Sequence, residues 1–200
     1  MLILMRLFLF VVATLSFLVA NDCTAQTLQD LVYRSQASLQ DSPAGGLLTN
    51  REAAVIVFFR KSKKLVWLEK KDSDTWSMKA AATTPPVVTD DTKENGPTPT
   101  GEYLIGKRYK HAKHKIDWYK LYPRKEDKSG YYGYSTPNKT GRLGMGLHPG
   151  SVSLGCATVT SKATPKDSDP AWKLVKNYVD KGKLRYKNDD FSGFLIVIDE

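Results

Sequence analysis

Short apolar or alternating segments, cut apart by stretches rich in Pro, Gly, Ser and Thr, are the feature that most limits what this chain can fold into. Ala53 to Phe59 (AAVIVFF) is a buried-strand run. Lys64 to Lys70 (KLVWLEK) is a second strand, and the turn Arg60-Lys61-Ser62-Lys63 joins the two as a hairpin. Gly101 to Tyr109 and Ile116 to Tyr122 alternate as strands do. Leu143 to His148 and Gly155 to Thr160 read as short strands around a Pro149-Gly150 turn, and Phe194 to Ile198 (FLIVI) as a terminal buried strand. Thr83 to Thr100 and Lys125 to Gly141 carry the residues of loops.

Helical spacing is rarer. Asp169 to Lys181 has Pro170 in its first turn, Trp172, Val175 and Val179 on one face, and Gly182 as a stop. Thr27 to Gln40 carries Leu28, Leu31, Val32 and Leu39 at roughly helical spacing, and Asp41 to Gly46 then breaks the pattern as a linker. The predicted fold class is mainly β with one or two helices, without internal repeats. At 200 residues the chain is long enough to bury a core without staples.

The N-terminus reads MLILMRLFLFVVATLSFLVA, one arginine ahead of an apolar run, followed by Cys23-Thr24-Ala25. This is the pattern of a secretory signal peptide cleaved after Ala25. The apolar run from Leu7 to Ala20 is shorter than the roughly 20 residues that span a bilayer. Counted from Met1 it reaches that length, so an uncleaved anchor is the alternative. Asp22 before Cys23 speaks against a lipoprotein. The expected localisation is secreted or periplasmic, with no stable membrane insertion after cleavage. The expected division is a signal peptide over 1–25, a helix and linker over 26–50, and the main domain over 51–200.

Cleavage there removes one of the two cysteines and leaves Cys156 alone. A lone cysteine in an oxidising compartment forms no internal disulfide, so it is either a small buried hydrophobe or a free thiol with a task. Two cysteines also exclude a four-thiolate zinc site. The same cleavage removes Arg6 and Asp22 together, so the net charge of +9 is unchanged.

The chemistry concentrates in Leu147-His148-Pro149-Gly150-Ser151-Val152-Ser153-Leu154-Gly155-Cys156. On one helix, His148 and Cys156 would stand about 12 Å apart along the axis, out of reach of each other. Pro149-Gly150 forbids that helix and favours a reversal that brings thiol and imidazole together. A cysteine beside a histidine is what thiolate catalysis needs, the imidazole taking and returning the proton. Backbone N–H groups at Gly155 and Cys156 are candidates for holding an oxyanion.

Ser153-Leu154-Gly155-Cys156 resembles the S-x-G-C nucleophile motif of the L,D-transpeptidase catalytic domain, with His148 at the position of its upstream histidine. Gly96-Pro97-Thr98-Pro99-Thr100-Gly101-Glu102-Tyr103-Leu104-Ile105 resembles the family's T-P-x-G-x-[FY]-x-I segment. The G-P-x-P-x-G-x-Y form, the Trp118-x-x-Leu121-x-Pro123 stretch and the H-P-G before the cysteine motif are most similar to short domains of this kind in antibacterial secretion effectors. The resemblance spans Ala53 to Thr160. It implies a β-sandwich with Cys156 as nucleophile and His148 as base. Ser153 is then the group that orients His148, and Gly155 supplies an oxyanion N–H. It further implies substrate-binding roles for Tyr103 and Arg142, peptidoglycan stem peptides as substrate, and no cofactor or metal. Cys156 would attack an amide of the stem, expel D-alanine and pass the acyl group to an amine or to water. One departure stands out. Many members place Arg or Asn two residues after the cysteine, and this chain has Ala157-Thr158. Arg142 is the candidate substitute, against its reading as a solvated loop arginine.

Other signals are weaker. His111-x-x-His114 has metal-ligand spacing but sits among Lys107, Arg108, Lys110, Lys113 and Lys115, whose field repels cations. The same basic run with Tyr109, Trp118 and Tyr119 is a solvated hairpin face or a contact for anionic wall polymers rather than for nucleic acid. Ser151 stands where a G-x-S-x-G elbow requires glycine, so Ser153 is not a hydrolase nucleophile. No carboxylate pair is singled out for glycoside cleavage. Three functions compete: a secreted cysteine enzyme on stem peptides, including an antibacterial hydrolase; a non-catalytic module binding wall or anionic glycans; and a cysteine peptidase acting on L-peptides.

Overall fold

Alternation decides which residues of each strand face the core. Ile56 and Phe58, Leu65 and Trp67, Tyr103 and Ile105, Tyr119 and Leu121, and Leu195 and Val197 are pairs two apart, and all lie in one buried cluster. The computed structural model describes residues 52–71, 75–124, 140–186 and 188–199. The expected signal peptide, the N-terminal helix, the 41–46 linker and most of the 125–141 loop lie outside the described residues.

The strands are β1 (Ala54–Phe59), β2 (Lys64–Lys70), β3 (Trp76–Ala82), β4 (Gly101–Lys110), β5 (Asp117–Pro123), β6 (Gly146–Gly150) and β7 (Ala157–Thr160). Helix α1 (Pro170–Lys181) follows a short 3-10 turn, and β8 (Leu184–Tyr186), β9 (Asp189–Phe191) and β10 (Gly193–Ile198) complete the chain. Eight strands form one sheet in the order β3-β2-β1-β10-β4-β5-β6-β7, and β8 and β9 pair separately. The sheet curls: Thr83, just past β3, bridges to Val159 of β7, so the two ends meet. The mainly β class expected from the sequence is therefore what forms.

Helix α1 packs onto this core with Trp172, Val175 and Val179 buried. Asp169 caps it, accepting from the N–H of Ala171 at 2.9 Å and of Trp172 at 3.5 Å, and Pro170 occupies the first turn. Tyr119 ties β5 to the helix by donating to Asp180 at 2.7 Å.

Several expectations need correcting. The hairpin of β1 and β2 forms as read, but the strand at Trp76–Ala82 was not foreseen. Its WSMKAAA sequence has little β character, and it becomes a strand by pairing along its whole length with β2. Strands β8 and β9 were not foreseen either, at three residues each. The predicted reversal at Pro149-Gly150 does not exist: both residues continue β6. Strands β6 and β7 are parallel, with Leu147 opposite Ala157 and His148 opposite Thr158. Parallel partners usually need about a dozen connecting residues. Residues 151–156 are enough here because the return from Gly150 to the level of Leu147 is only about 10 Å.

Candidate active site

The parallel register places the site. Leu147, Ala157 and Val159 point into the core cluster. Gly146 and His148 on β6, and Cys156 and Thr158 at and beyond the start of β7, therefore share the opposite face. His148 and Cys156 fall on the same face because each neighbours a core residue, Leu147 or Ala157, on adjacent strands.

His148 is buried at 8% exposure. Its Nδ1 lies 3.0 Å from the carbonyl of Pro149, which assigns the ring proton to Nδ1 and leaves the lone pair on Nε2. The Trp118 ring stacks on the imidazole, centroids 3.8 Å apart and planes 11° apart. Register explains this: Tyr119 pairs with Leu147, so Trp118 is the cross-strand neighbour of His148. Gly146 makes room, since a β-carbon there would fall 1.9 Å from Trp118 Nε1. Behind Trp118 stands His111, at 4.5 Å between ring centroids, and then His114, 4.7 Å from His111. Burial, aided by His114, Lys166 and His111, pushes the His148 pKa down to about 4, against the pull of the Pro149 carbonyl.

Cys156 is a free, partly buried thiol. Burial pushes its pKa up to about 11, and a backbone hydrogen bond from Gly146 and the charge of Arg142 work against that rise. The pair therefore rests as neutral thiol and neutral imidazole. Gly155, just before the thiol, has φ +103°, a backbone region that favours glycine, and a β-carbon there would lie 1.6 Å from an Arg142 guanidinium nitrogen. Among the described residues the N–H groups of Gly155 and Cys156 meet no acceptor.

Arg142 is not a solvated loop residue. It is 9% exposed and donates to the carbonyls of Pro97 at 2.6 Å and Asp91 at 3.3 Å. Burial lowers its pKa, opposed by Cys156, Tyr103, Asp91 and Glu94. It lines a cavity of about 440 Å³ with Cys156, Gly155, Glu94, Leu143 and Leu154.

Two other expectations are corrected. Ser153 does not orient His148; its hydroxyl donates to the Cys156 carbonyl at 2.9 Å, and the Pro149 carbonyl holds the imidazole instead. Tyr103 does not line the cavity. It is 1% exposed in the core, its hydroxyl donating to the Pro99 carbonyl at 2.7 Å. It thereby anchors the Gly96–Gly101 segment, which holds Arg142 through Pro97 and reaches Gly155 through Thr98 Oγ1 at 3.4 Å. This is the physical link between the two motif blocks. Trp118, Thr158 and the Pro149 carbonyl were missed as site groups. Trp118 was visible in its motif, but strand pairing assigned its role. The His111–His114 pair packs in the ring stack, and among the described residues no metal-binding cluster occurs. Arg108 and Lys110 of the basic run are engaged in ion pairs with Asp117, Asp167 and Asp180.

The chain matches the model of the YkuD family, described as the L,D-transpeptidase catalytic domain, over residues 53–188. No curated protein matches it. Similar solved structures include Bd1075 of Bdellovibrio bacteriovorus, at 16% identity and TM-score 0.45, covering 77% of this chain and 51% of that one. Another is the helical cell shape determining protein Pgp2 of Campylobacter jejuni, at 12% identity and TM-score 0.43, covering 82% and 54%. The chain thus spans about half the length of these two proteins.

Proposed function

The chain belongs to the L,D-transpeptidase catalytic domain family, and on that premise we propose that it is an exported cysteine enzyme acting on peptidoglycan stem peptides. The observation that carries this reading is the placement of Cys156 and His148 on one face of adjacent parallel strands, with Cys156 at the wall of a cavity that Arg142 also lines. His148 Nε2 takes the proton of the Cys156 thiol, and the sulfur attacks the carbonyl carbon of a stem-peptide amide. The tetrahedral oxyanion is met by the N–H groups of Gly155 and Cys156. Collapse breaks the C–N bond, and the imidazolium returns its proton to the departing amine of D-alanine. The thioester then passes to an amine acceptor or to water, with His148 again taking the proton.

Base catalysis of this kind supplies about 10²–10⁴-fold and one oxyanion donor about 10²–10³-fold. Arg142 supports the thiolate and is a ready partner for a substrate carboxylate, in place of the arginine missing after the cysteine. Export follows from the signal-peptide pattern, and the net charge of +9 favours an anionic wall. Among the described residues no helix is long and apolar enough to cross a membrane.

The test is mass spectrometry of muropeptides incubated with the mature protein. Loss or exchange of D-alanine, or new cross-links, is expected, and Cys156→Ala should abolish them while keeping the thermal transition. Turnover by that variant would overturn the reading. A second reading is a non-catalytic wall-binding module, favoured by the thiol's being held protonated. It predicts iodoacetamide labelling of Cys156 no faster than a free thiol and muropeptide binding without turnover.

A further inference from the structure

Hydrogen bonds that join His148 to Cys156 among the described residues run through Thr158. Its Oγ1 lies 3.4 Å from His148 Nε2 and 3.3 Å from the Cys156 carbonyl. The residue is fully buried and sits directly across the parallel ladder from His148. The Cys156 carbonyl also accepts from Ser153, so the peptide that carries the thiol is held from two sides. We infer that Thr158 is a positioning residue, whose hydroxyl offers the protonated imidazole an acceptor and links it to the backbone of the nucleophile. The inference rests on the reading of His148 as the base.

A hydroxyl has one proton and two lone pairs. With the ring neutral and its proton on Nδ1, the Thr158 hydroxyl donates to the Cys156 carbonyl and leaves the Nε2 lone pair open to the thiol proton. Once Nε2 has taken that proton, Nε2–H finds a lone pair of Oγ1 as an acceptor while the hydroxyl keeps its own proton on the Cys156 carbonyl. No covalent bond forms or breaks at Thr158. Hydrogen bonds from a charged donor are about twice as strong as neutral ones, so the contact favours the imidazolium. The surroundings need such help. Burial, His114 and His111 beyond Trp118, and Lys166 all oppose a charge on the ring, and the Pro149 carbonyl favours it. Valine at 158 would keep the shape and remove this second acceptor. Serine would keep the hydroxyl.

The experiment compares Thr158→Val and Thr158→Ala with Thr158→Ser in the mature protein. It uses two readouts: NMR titration of the His148 ring, and kcat and KM on stem peptides. Thr158→Val and Thr158→Ala should lower kcat about tenfold with KM within about twofold, and should lower the His148 pKa. Thr158→Ser should restore both. Wild-type kcat and ring titration in Thr158→Val would overturn the inference, as would equal impairment in Thr158→Ser, which marks packing alone. If the wild type turns nothing over, the function reading fails, and the ring titration still judges Thr158: a lowered pKa in Val and Ala restored by Ser supports it, and an unchanged pKa overturns it.

Discussion

Strand β5 faces two regions that bury titratable groups in opposite ways. On the side of the helix, Asp117 is 5% exposed and surrounded by cations: Lys110 at 2.9 Å, Lys176 at 3.1 Å and Arg108 at 3.7 Å. Burial pushes its carboxyl pKa up, but hydrogen bonds from Lys110 and Lys176 outweigh that and hold it below the ordinary carboxylate range. On the other side, Trp118 covers His148, and nothing comparable compensates the ring. There burial wins, and the imidazole and thiol stay neutral. The first region keeps its charge and holds the helix to the sheet. The second gives up its charge at rest, and that is where a proton can be moved.

The contrast can be broken at several points. The largest effect is expected from Gly155→Ala. Alanine at φ +103° is strained, and its methyl would displace Arg142 from beside the thiol. Turnover of muropeptides should fall on the order of 10²-fold or more, as kcat assays would read.

Acid should next separate the two regions. The His148 pKa is depressed from 6.5 to about 4, so between these values the unfolded chain binds more protons than the folded one. Stability that depends on the ring being neutral is present above pH 6.5 and is lost as pH falls toward 4, on the order of 3 kcal/mol. Urea unfolding of wild type and His148→Gln across this range should show the slope flattened in the variant. Cys156 works from the other side: its pKa is raised from 9.0 to about 11, so its share is present below pH 9 and lost as pH rises through 11.

Asp117→Ala removes the compensating anion of the helix-side region. It leaves Lys176 without this carboxylate and should lower unfolding stability by about 1–2 kcal/mol, discounted because Arg108 and Lys110 are solvent-accessible. Muropeptide turnover per folded molecule should not change. Lys110→Ala should be the mildest change, under about 0.5 kcal/mol, since that side chain is 61% exposed. A large loss of turnover in either variant would show that the two regions are coupled through β5.

Much of the fold was legible because burial writes itself into strands and helices. The apolar runs at Ala54–Phe59 and Gly193–Ile198 need no partner to be recognised, and Pro170 with its Trp172, Val175 and Val179 face marks a helix unaided. Strand β3 was not legible, since its residues have little strand preference and acquire it from β2. The site divides in the same way. Cys156, His148 and Gly155 stand in one motif, and their residue types state the chemistry. The misreadings of Ser153 and Tyr103, and the choice left open between a site role and a solvated loop for Arg142, concern where a side chain points, which depends on groups far away in the chain.

The sequence by itself determined that the chain folds mainly as strands and that Cys156 sits in a histidine-bearing segment of a known family. Local pattern carries both, because alternation and residue chemistry are properties of neighbours. Only the tertiary structure decided that β6 and β7 run parallel, and so that Trp118, His148 and Thr158 stand side by side on one face. It also decided that Arg142 is drawn in by Pro97 to lie beside Gly155. Strand direction and register are set by the whole sheet burying its core, a condition that no short stretch of sequence contains.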